Sequence, residues 1–217
     1  MMRLPIQRLF CTTVAFLFLF FRLGSAQRPN SASVCDYYAQ AQFGANTSAT
    51  QLKWIQSVVT LAFEGGSTLS NVTSELTGIL RPGSINDVAI DLREYFNRSR
   101  ASTNVRNAPV SINWLDQGST IPLADFLSSK TETLVLSNTS NQYHLFGNFF
   151  TAFGRSFGCT LPPPPLSNTD GPVSLAYAHK FMNLEYNQLA YFIKQLAIAS
   201  THFRVSPQYR VKRSMSV

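Results

Sequence analysis

The sequence predicts an all-α domain with a long irregular insertion, and three observations lead to this fold class. Apolar residues recur at helical spacing over 49–64, again from 142 to 157, and again after 183. The intervening stretch 67–141 is rich in Ser, Thr, Asn, Pro and Gly and shows no long periodic pattern. We therefore expect helices at both ends of the domain and an irregular segment between them.

The first 26 residues have the three parts of a secretory signal peptide. Arg3 and Arg8 give a positive start, the apolar run covers 9–21, and Gly24-Ser-Ala26 supplies the small residues of a cleavage site. The run is shorter than the roughly 20 residues of a membrane-spanning helix, although a retained signal anchor is the alternative. We expect a secreted protein with one domain over 27–217 and no stable membrane span after cleavage.

The charge of the chain argues against a nucleic-acid partner. Its formal net charge is +7, and removing the leader's three arginines, with no acid, lowers it to +4. Charged residues make up 13% of the chain, and the one concentrated basic stretch is the tail 210–213. A mildly basic chain without Arg/Lys clusters lacks the electrostatic footprint of a nucleic-acid surface.

Cysteines and sequons fit the secretory route. Cys11 lies in the leader, so the mature chain keeps Cys35 and Cys159, which predict one disulfide in an oxidising compartment. Closing a loop of that length stabilises a domain by about 4 kcal/mol or more. Four Asn-x-Ser/Thr sequons predict glycosylation at Asn46, Asn71, Asn97 and Asn138.

The first periodic stretch predicts a helix over Ala49–Glu64. Ser48 and Gln51 have the spacing of a capping box, and Gly65-Gly66 ends the run. In the insertion, short apolar groups at 88–92, 110–114 and 133–136 fit either short helices or strands. No internal repeat is evident.

The second half of the chain carries a phenylalanine stripe. Phenylalanines recur at i, i+3, i+4, i+7 and i+11 from Phe146 to Phe157, which places them on one helical face. Pro162–Pro165 predicts an extended spacer. A short helix is expected from Asp170 through His179 to Met182, and Asn183 is expected to cap a last helix.

Three segments in this half resemble truncated globins. The stretch 142–154 (QYHLFGNFFTAFG) looks like their distal helix, 176–184 (AYAHKFMNL) resembles their heme-ligand segment, and 186–205 is similar to the helix that follows. The resemblance covers 142–205 and implies a globin-like domain. It departs from the family at Trp54, where truncated globins often have a tyrosine, and at 206–217, where the expected final helix is missing.

The resemblance implies a heme protein that binds a diatomic ligand such as oxygen. His179 would be the proximal iron ligand, and Gln142 or His144 the distal polar group. The side chains lining the heme would be Phe146, Phe149, Phe150 and Phe153. The chain also resembles a set of small secreted proteins of fungi and similar microbes, and that likeness implies no activity.

Two alternatives stay open. One is a heme-free secreted helical interaction module of unknown partner, in which His179 is structural. The other is a serine hydrolase, because Gly154-Arg-Ser156-Phe-Gly158 matches G-x-S-x-G and Asp170 and His179 follow in order. The predicted helix before Ser156 opposes the second alternative, since the motif needs a strand there. Whether the protein is an enzyme stays open, and a non-enzymatic role is favoured.

Overall fold

The computed structural model describes residues 28–69, 72–161 and 175–203. The chain divides into an N-terminal unit, 1–32, and a main unit, Ser33–Val217. In the first unit the described part is a turn, closed by the Ala32 N–H donating to the Pro29 carbonyl at 3.1 Å. The predicted leader over 1–26 and the predicted spacer Pro162–Pro165 lie outside the described residues. All that follows concerns the main unit.

Helices and strands are both present in the described part of the main unit. Its six helices are α1 (Val34–Phe43), α2 (Ser48–Glu64), α3 (Ile121–Leu127), α4 (Asn141–Phe157), α5 (Leu175–Ala178) and α6 (Tyr186–His202). Its strands are β1 (Gly83–Ile85), β2 (Val88–Ile90), β3 (Thr103–Val105) and β4 (Ala108–Val110), with 3₁₀ turns at Gly66–Thr68 and Arg93–Tyr95. The prediction of an all-α, globin-like fold is therefore wrong, and the domain is a mixed α/β structure.

Helix α2 lies at the centre of the main unit. It packs against α1, α3, α4 and α6, and its last seven residues, 58–64, are all buried. A helix that is apolar on most of its circumference is stable only when other elements cover it. The core therefore forms around α2, with Trp54 and Phe63 among its largest fully buried side chains.

Helix starts differ slightly from the predicted ones. The capping box of α2 is formed by Thr47 and Thr50, one residue before the predicted pair. Gln51 is instead buried and bonded to neighbouring segments. The cap of α6 lies two residues after the predicted Asn183, because Glu185 and Gln188 form its capping box.

The predicted irregular insertion contains two β-hairpins, which is why the all-α prediction fails. Strands β1 and β2 pair antiparallel, as do β3 and β4. Each paired position of the second hairpin lies 20 residues after the corresponding position of the first. Each turn has two residues of positive φ, Asn86-Asp87 and Arg106-Asn107. Positive φ at both central residues is the requirement of a type I′ hairpin turn. The hairpin is thus an internal repeat that the sequence did not reveal.

The predicted disulfide between Cys35 and Cys159 is confirmed. It joins α1 to the chain just after α4, and a set of hydrogen bonds lies beside it. The Asp36 carboxylate accepts from the Thr160 N–H at 3.1 Å and from the Gln51 amide at 2.7 Å. The side-chain amide oxygen of Gln51 accepts from the Leu161 N–H at 2.9 Å. The start of the unit is therefore fastened to the end of α4 by covalent and polar contacts together.

Candidate functional site

His179, the predicted iron ligand, is exposed and lies in the turn that follows α5. Hairpin β3–β4 holds this turn, since the Asn104 amide donates to the Tyr177 carbonyl at 2.9 Å. The Lys180 ammonium also donates to the Asn107 side chain at 2.8 Å. The imidazole is thus presented at the surface beside a hairpin that the sequence did not predict.

The predicted phenylalanine stripe packs against other aromatic rings. The Phe63 ring of α2 lies 5.1 Å from the Phe146 ring and 4.9 Å from the Phe149 ring, between centroids. Phe149 also stacks on Phe153 at 6.0 Å and approaches Phe192 of α6 at 6.3 Å. Rings at these separations contact one another directly. The stripe forms the contact of α4 with α2 and α6.

The two predicted distal groups have different surroundings. Gln142 is fully buried in the first turn of α4, where its amide donates to the Ser119 carbonyl at 2.8 Å. The Asp116 carboxylate accepts from the Gln142 backbone N–H at 3.0 Å, so a negative charge lies at the N-terminus of α4. His144 is half-buried with its ring edge against Tyr143. Gln142 therefore serves to connect α4 with the preceding loop.

These positions do not fit a bound heme. A heme needs an apolar cavity with the ligating imidazole directed into it. Among the described residues, the predicted lining is filled by rings from α2 and α6, and His179 is exposed. No group of three or more His, Cys, Asp or Glu residues that could hold a metal ion occurs in the described ranges. We derive no chemistry through heme.

The G-x-S-x-G match does not form a nucleophile elbow. Ser156 lies within α4, and its hydroxyl donates to the Ala152 carbonyl at 3.0 Å, one helical turn earlier. The elbow needs a sharp turn between a strand and a helix. Asp170, the proposed third member, lies outside the described residues. The local geometry therefore gives no support to serine hydrolysis.

Three of the four sequons lie in described positions, and all three asparagines are exposed. They are Asn46 before α2, Asn97 after the second 3₁₀ turn, and Asn138 before α4. Asn71 lies outside the described residues. Exposed asparagines in loops can carry glycans without displacing the core.

A buried polar cluster joins α6 to the loop after α2. Tyr191 is 1% exposed, and its hydroxyl lies 2.6 Å from the Thr77 hydroxyl and 3.0 Å from the Gly78 carbonyl. The Gln195 amide oxygen accepts from the Gly78 N–H at 2.9 Å. Burial raises the pKa of Tyr191, and the Thr77 hydrogen bond acts in the opposite direction. The cluster holds a loop in place and contains no pair of groups arranged for acid–base chemistry.

A cleft of about 390 Å³ lies where the C-terminal ends of α1, α3 and α6 approach α2. Its apolar wall comes from Phe43, Leu69, Phe126, Leu127 and Phe203. Its polar lining includes Lys53, Ser57, Thr131, Glu132 and His202. The volume is at the lower end of the range for small-molecule sites. Apolar walls with a few polar groups are the usual composition of such sites.

The start of α6 presents an apolar face to solvent. Tyr186, Leu189 and Ile193 are 82%, 48% and 50% exposed, and their i, i+3, i+7 spacing places them on one side of the helix.

No helix among the described residues is long and apolar enough to cross a membrane.

Comparison with known proteins gives no relative, since no protein-family model, curated protein or solved structure matches the chain. The fold and site define a disulfide-closed, mixed α/β module with a small cleft lined by both apolar and polar residues. The cleft is what sequence reasoning missed. It is lined from five separate segments, and only Lys53, a lone cation in the predicted helix 49–64, could have drawn attention to it.

Proposed function

We propose that the chain is a heme-free extracellular module that binds a small apolar molecule in the cleft between the ends of α1, α3 and α6. The observation that carries this proposal is the cleft itself, with three phenylalanines in its wall: Phe43, Phe126 and Phe203. Burying apolar ligand surface against such walls contributes roughly 25 cal/mol per Å². The protein is then the heme-free interaction module, and the cleft is its ligand site.

The extracellular location is supported by three features. The Cys35–Cys159 disulfide is of the kind that persists in oxidising compartments. Asn46, Asn97 and Asn138 are exposed in their sequons. The leader over 1–26 has the pattern of a signal peptide.

The heme-free state is supported by the positions of the implied heme residues. His179 is exposed beside hairpin β3–β4, while the phenylalanines of α4 pack on Phe63 and Phe192. Opening a heme-sized space there would separate packed rings, and each large void in a core costs several kcal/mol.

A cleft-filling variant tests the proposal. Ser57 lines the cleft and its hydroxyl bonds only within its own helix, to the Lys53 carbonyl at 2.8 Å among the described contacts. Ser57→Phe should fill the site with little effect on folding. Gln56→Phe is the matched control, because Gln56 is the adjacent half-buried residue of α2 and does not line the cleft. The probe is decanol, titrated by calorimetry into the secreted chain.

We expect saturable binding of decanol to the wild type and to Gln56→Phe, and at least tenfold weaker binding to Ser57→Phe. Equal binding in all three proteins would show that decanol binds elsewhere, and no binding to the wild type would show that the cleft takes no apolar ligand. Either result overturns the proposed function.

A further inference from the structure

The cleft contains a cation without a carboxylate partner. Lys53 is half-buried, and its ammonium lies 5.5 Å from the centroid of the Phe43 ring. Across the described ranges, the ion pairs are Arg81–Glu64, Arg100–Glu94, Lys130–Asp125 and Lys194–Glu75. Lys53 belongs to none of them. A half-buried lysine whose ammonium has an aromatic face on one side keeps donors available for an anion.

A second polar group in the cleft also lacks a partner. The Thr131 hydroxyl oxygen is buried and makes no hydrogen bond with the described residues. Thr131 lines the same cleft as Lys53. A buried hydroxyl without a partner costs free energy, and a rotation of the Thr131 side chain toward the cleft would let a ligand oxygen supply the missing hydrogen bond.

The other titratable groups of the lining are more exposed than Lys53. Glu132 and His202 are exposed, whereas Lys53 is half-buried. Water screens an exposed charge much more than a half-buried one. Lys53 is therefore the least exposed titratable group of the lining, and its single positive charge matches a head group with one negative charge.

We propose that the ligand of the cleft is an amphipathic carboxylate. Its head group binds the Lys53 ammonium and accepts from the Thr131 hydroxyl, and its apolar part lies against Phe43, Phe126 and Phe203. The inference rests on the proposed function, because it names the chemical class of the molecule that the same cleft binds. The carboxylate supplies affinity and orientation, since a charge-assisted hydrogen bond is roughly twice as strong as a neutral one.

The experiment compares three probes that share one apolar chain: decanoate, decanol and decylamine. Each is titrated by calorimetry into the wild type, Lys53→Met and Thr131→Val. Methionine keeps much of the length of the lysine stem and removes its charge, and valine keeps the shape of threonine and removes its hydroxyl. Lys194→Met is the matched control, because Lys194 is a half-buried lysine outside the cleft.

We expect decanoate to bind the wild type about tenfold more tightly than decanol, and decylamine to bind more weakly than decanol. Lys53→Met should bring decanoate to the affinity of decanol and leave decanol unchanged. Thr131→Val should weaken decanoate several-fold, and Lys194→Met should change nothing. The preference for decanoate should shrink as salt is added, since the attraction is partly screened.

The outcomes separate this inference from the proposed function. If decanol binds and Ser57→Phe abolishes that binding, but decanoate binds no more tightly or Lys53→Met leaves its affinity unchanged, the carboxylate class is wrong and the binding function stands. If neither probe binds the wild type, both are wrong.

Discussion

Removing the disulfide between Cys35 and Cys159 should cost this domain a large part of its stability. The two cysteines are 124 residues apart. Loop-closure entropy for a loop of that length corresponds to about 5 kcal/mol at 25 °C. Small domains have free energies of unfolding of about 5 to 15 kcal/mol. The double variant Cys35→Ala/Cys159→Ala should therefore unfold at a much lower denaturant concentration than the wild type.

The hydrogen bonds beside the disulfide make the prediction specific. Asp36 accepts from the Thr160 hydroxyl at 2.9 Å and from its backbone N–H at 3.1 Å, so the folded geometry should survive loss of the S–S bond. The loss then arises mainly in the unfolded chain, which becomes more expanded. The denaturant dependence, m, should accordingly increase, because it scales with the surface exposed on unfolding.

Equilibrium unfolding in urea measures both quantities. Thr160→Val is the control, since it removes one hydrogen bond to Asp36, keeps the disulfide, and should cost about 1 to 3 kcal/mol. If the double cysteine variant loses no more free energy of unfolding than Thr160→Val, or loses less than about 1 kcal/mol, the loop-entropy reasoning fails.

Two further predictions concern the buried hydroxyl of Tyr191 in α6 and two glycines, Gly83 and Gly154, that differ in the space around them. Burial raises the pKa of Tyr191 above 10.0, so the unfolded chain releases this proton first, and the free energy of unfolding should fall as pH rises above about 10. In Tyr191→Phe this decrease in the free energy of unfolding at high pH should be smaller. At pH 7 the variant should lose about 1 to 2 kcal/mol of stability, because the hydroxyl's hydrogen bonds are absent. If urea titrations show the same decrease above pH 10 in the wild type and in Tyr191→Phe, the prediction is contradicted. A Cβ at Gly83 would overlap the Tyr191 ring, so Gly83→Ala should cost about 1 to 3 kcal/mol. Gly154→Ala, whose Cβ would meet Cys159 at 3.7 Å, an ordinary contact, should be neutral or stabilising; equal unfolding midpoints for these two glycine variants would refute the argument.

The long helices could be predicted because their periodicity is local. Helices α2, α4 and α6 have 17 residues each, enough for an apolar stripe to repeat several times. The disulfide could be predicted because the sequence after the predicted leader offers one pair of cysteines. Helix α1 was missed because its ten residues carry only three fully buried positions, Cys35, Tyr38 and Ala39.

The hairpins could not be predicted from alternation, because each strand has three residues. Their turns use Asn86-Asp87 and Arg106-Asn107 in place of the Asn-Gly pair that signals a type I′ turn. The cleft depends on residues far apart in the sequence, from Phe43 to Phe203. No local pattern brings such residues together, so the site became visible only with the fold.

The phenylalanine stripe shows why a correct local prediction does not by itself identify what a helical face contacts. The stripe from Phe146 to Phe157 does form one face of a helix. An apolar helical face packs equally well on a cofactor or on other side chains, and the rings of Phe63 and Phe192 occupy that position here. The sequence specifies the face, and the partner of the face depends on tertiary packing.

An absorption titration of residues 27–217 with hemin tests the central claim most directly. A heme-free binding module should give a broad, non-saturating response that is the same in the wild type and in His179→Ala. A sharp Soret band that saturates at one hemin per chain and disappears in His179→Ala would contradict the account, and would make His179 an iron ligand.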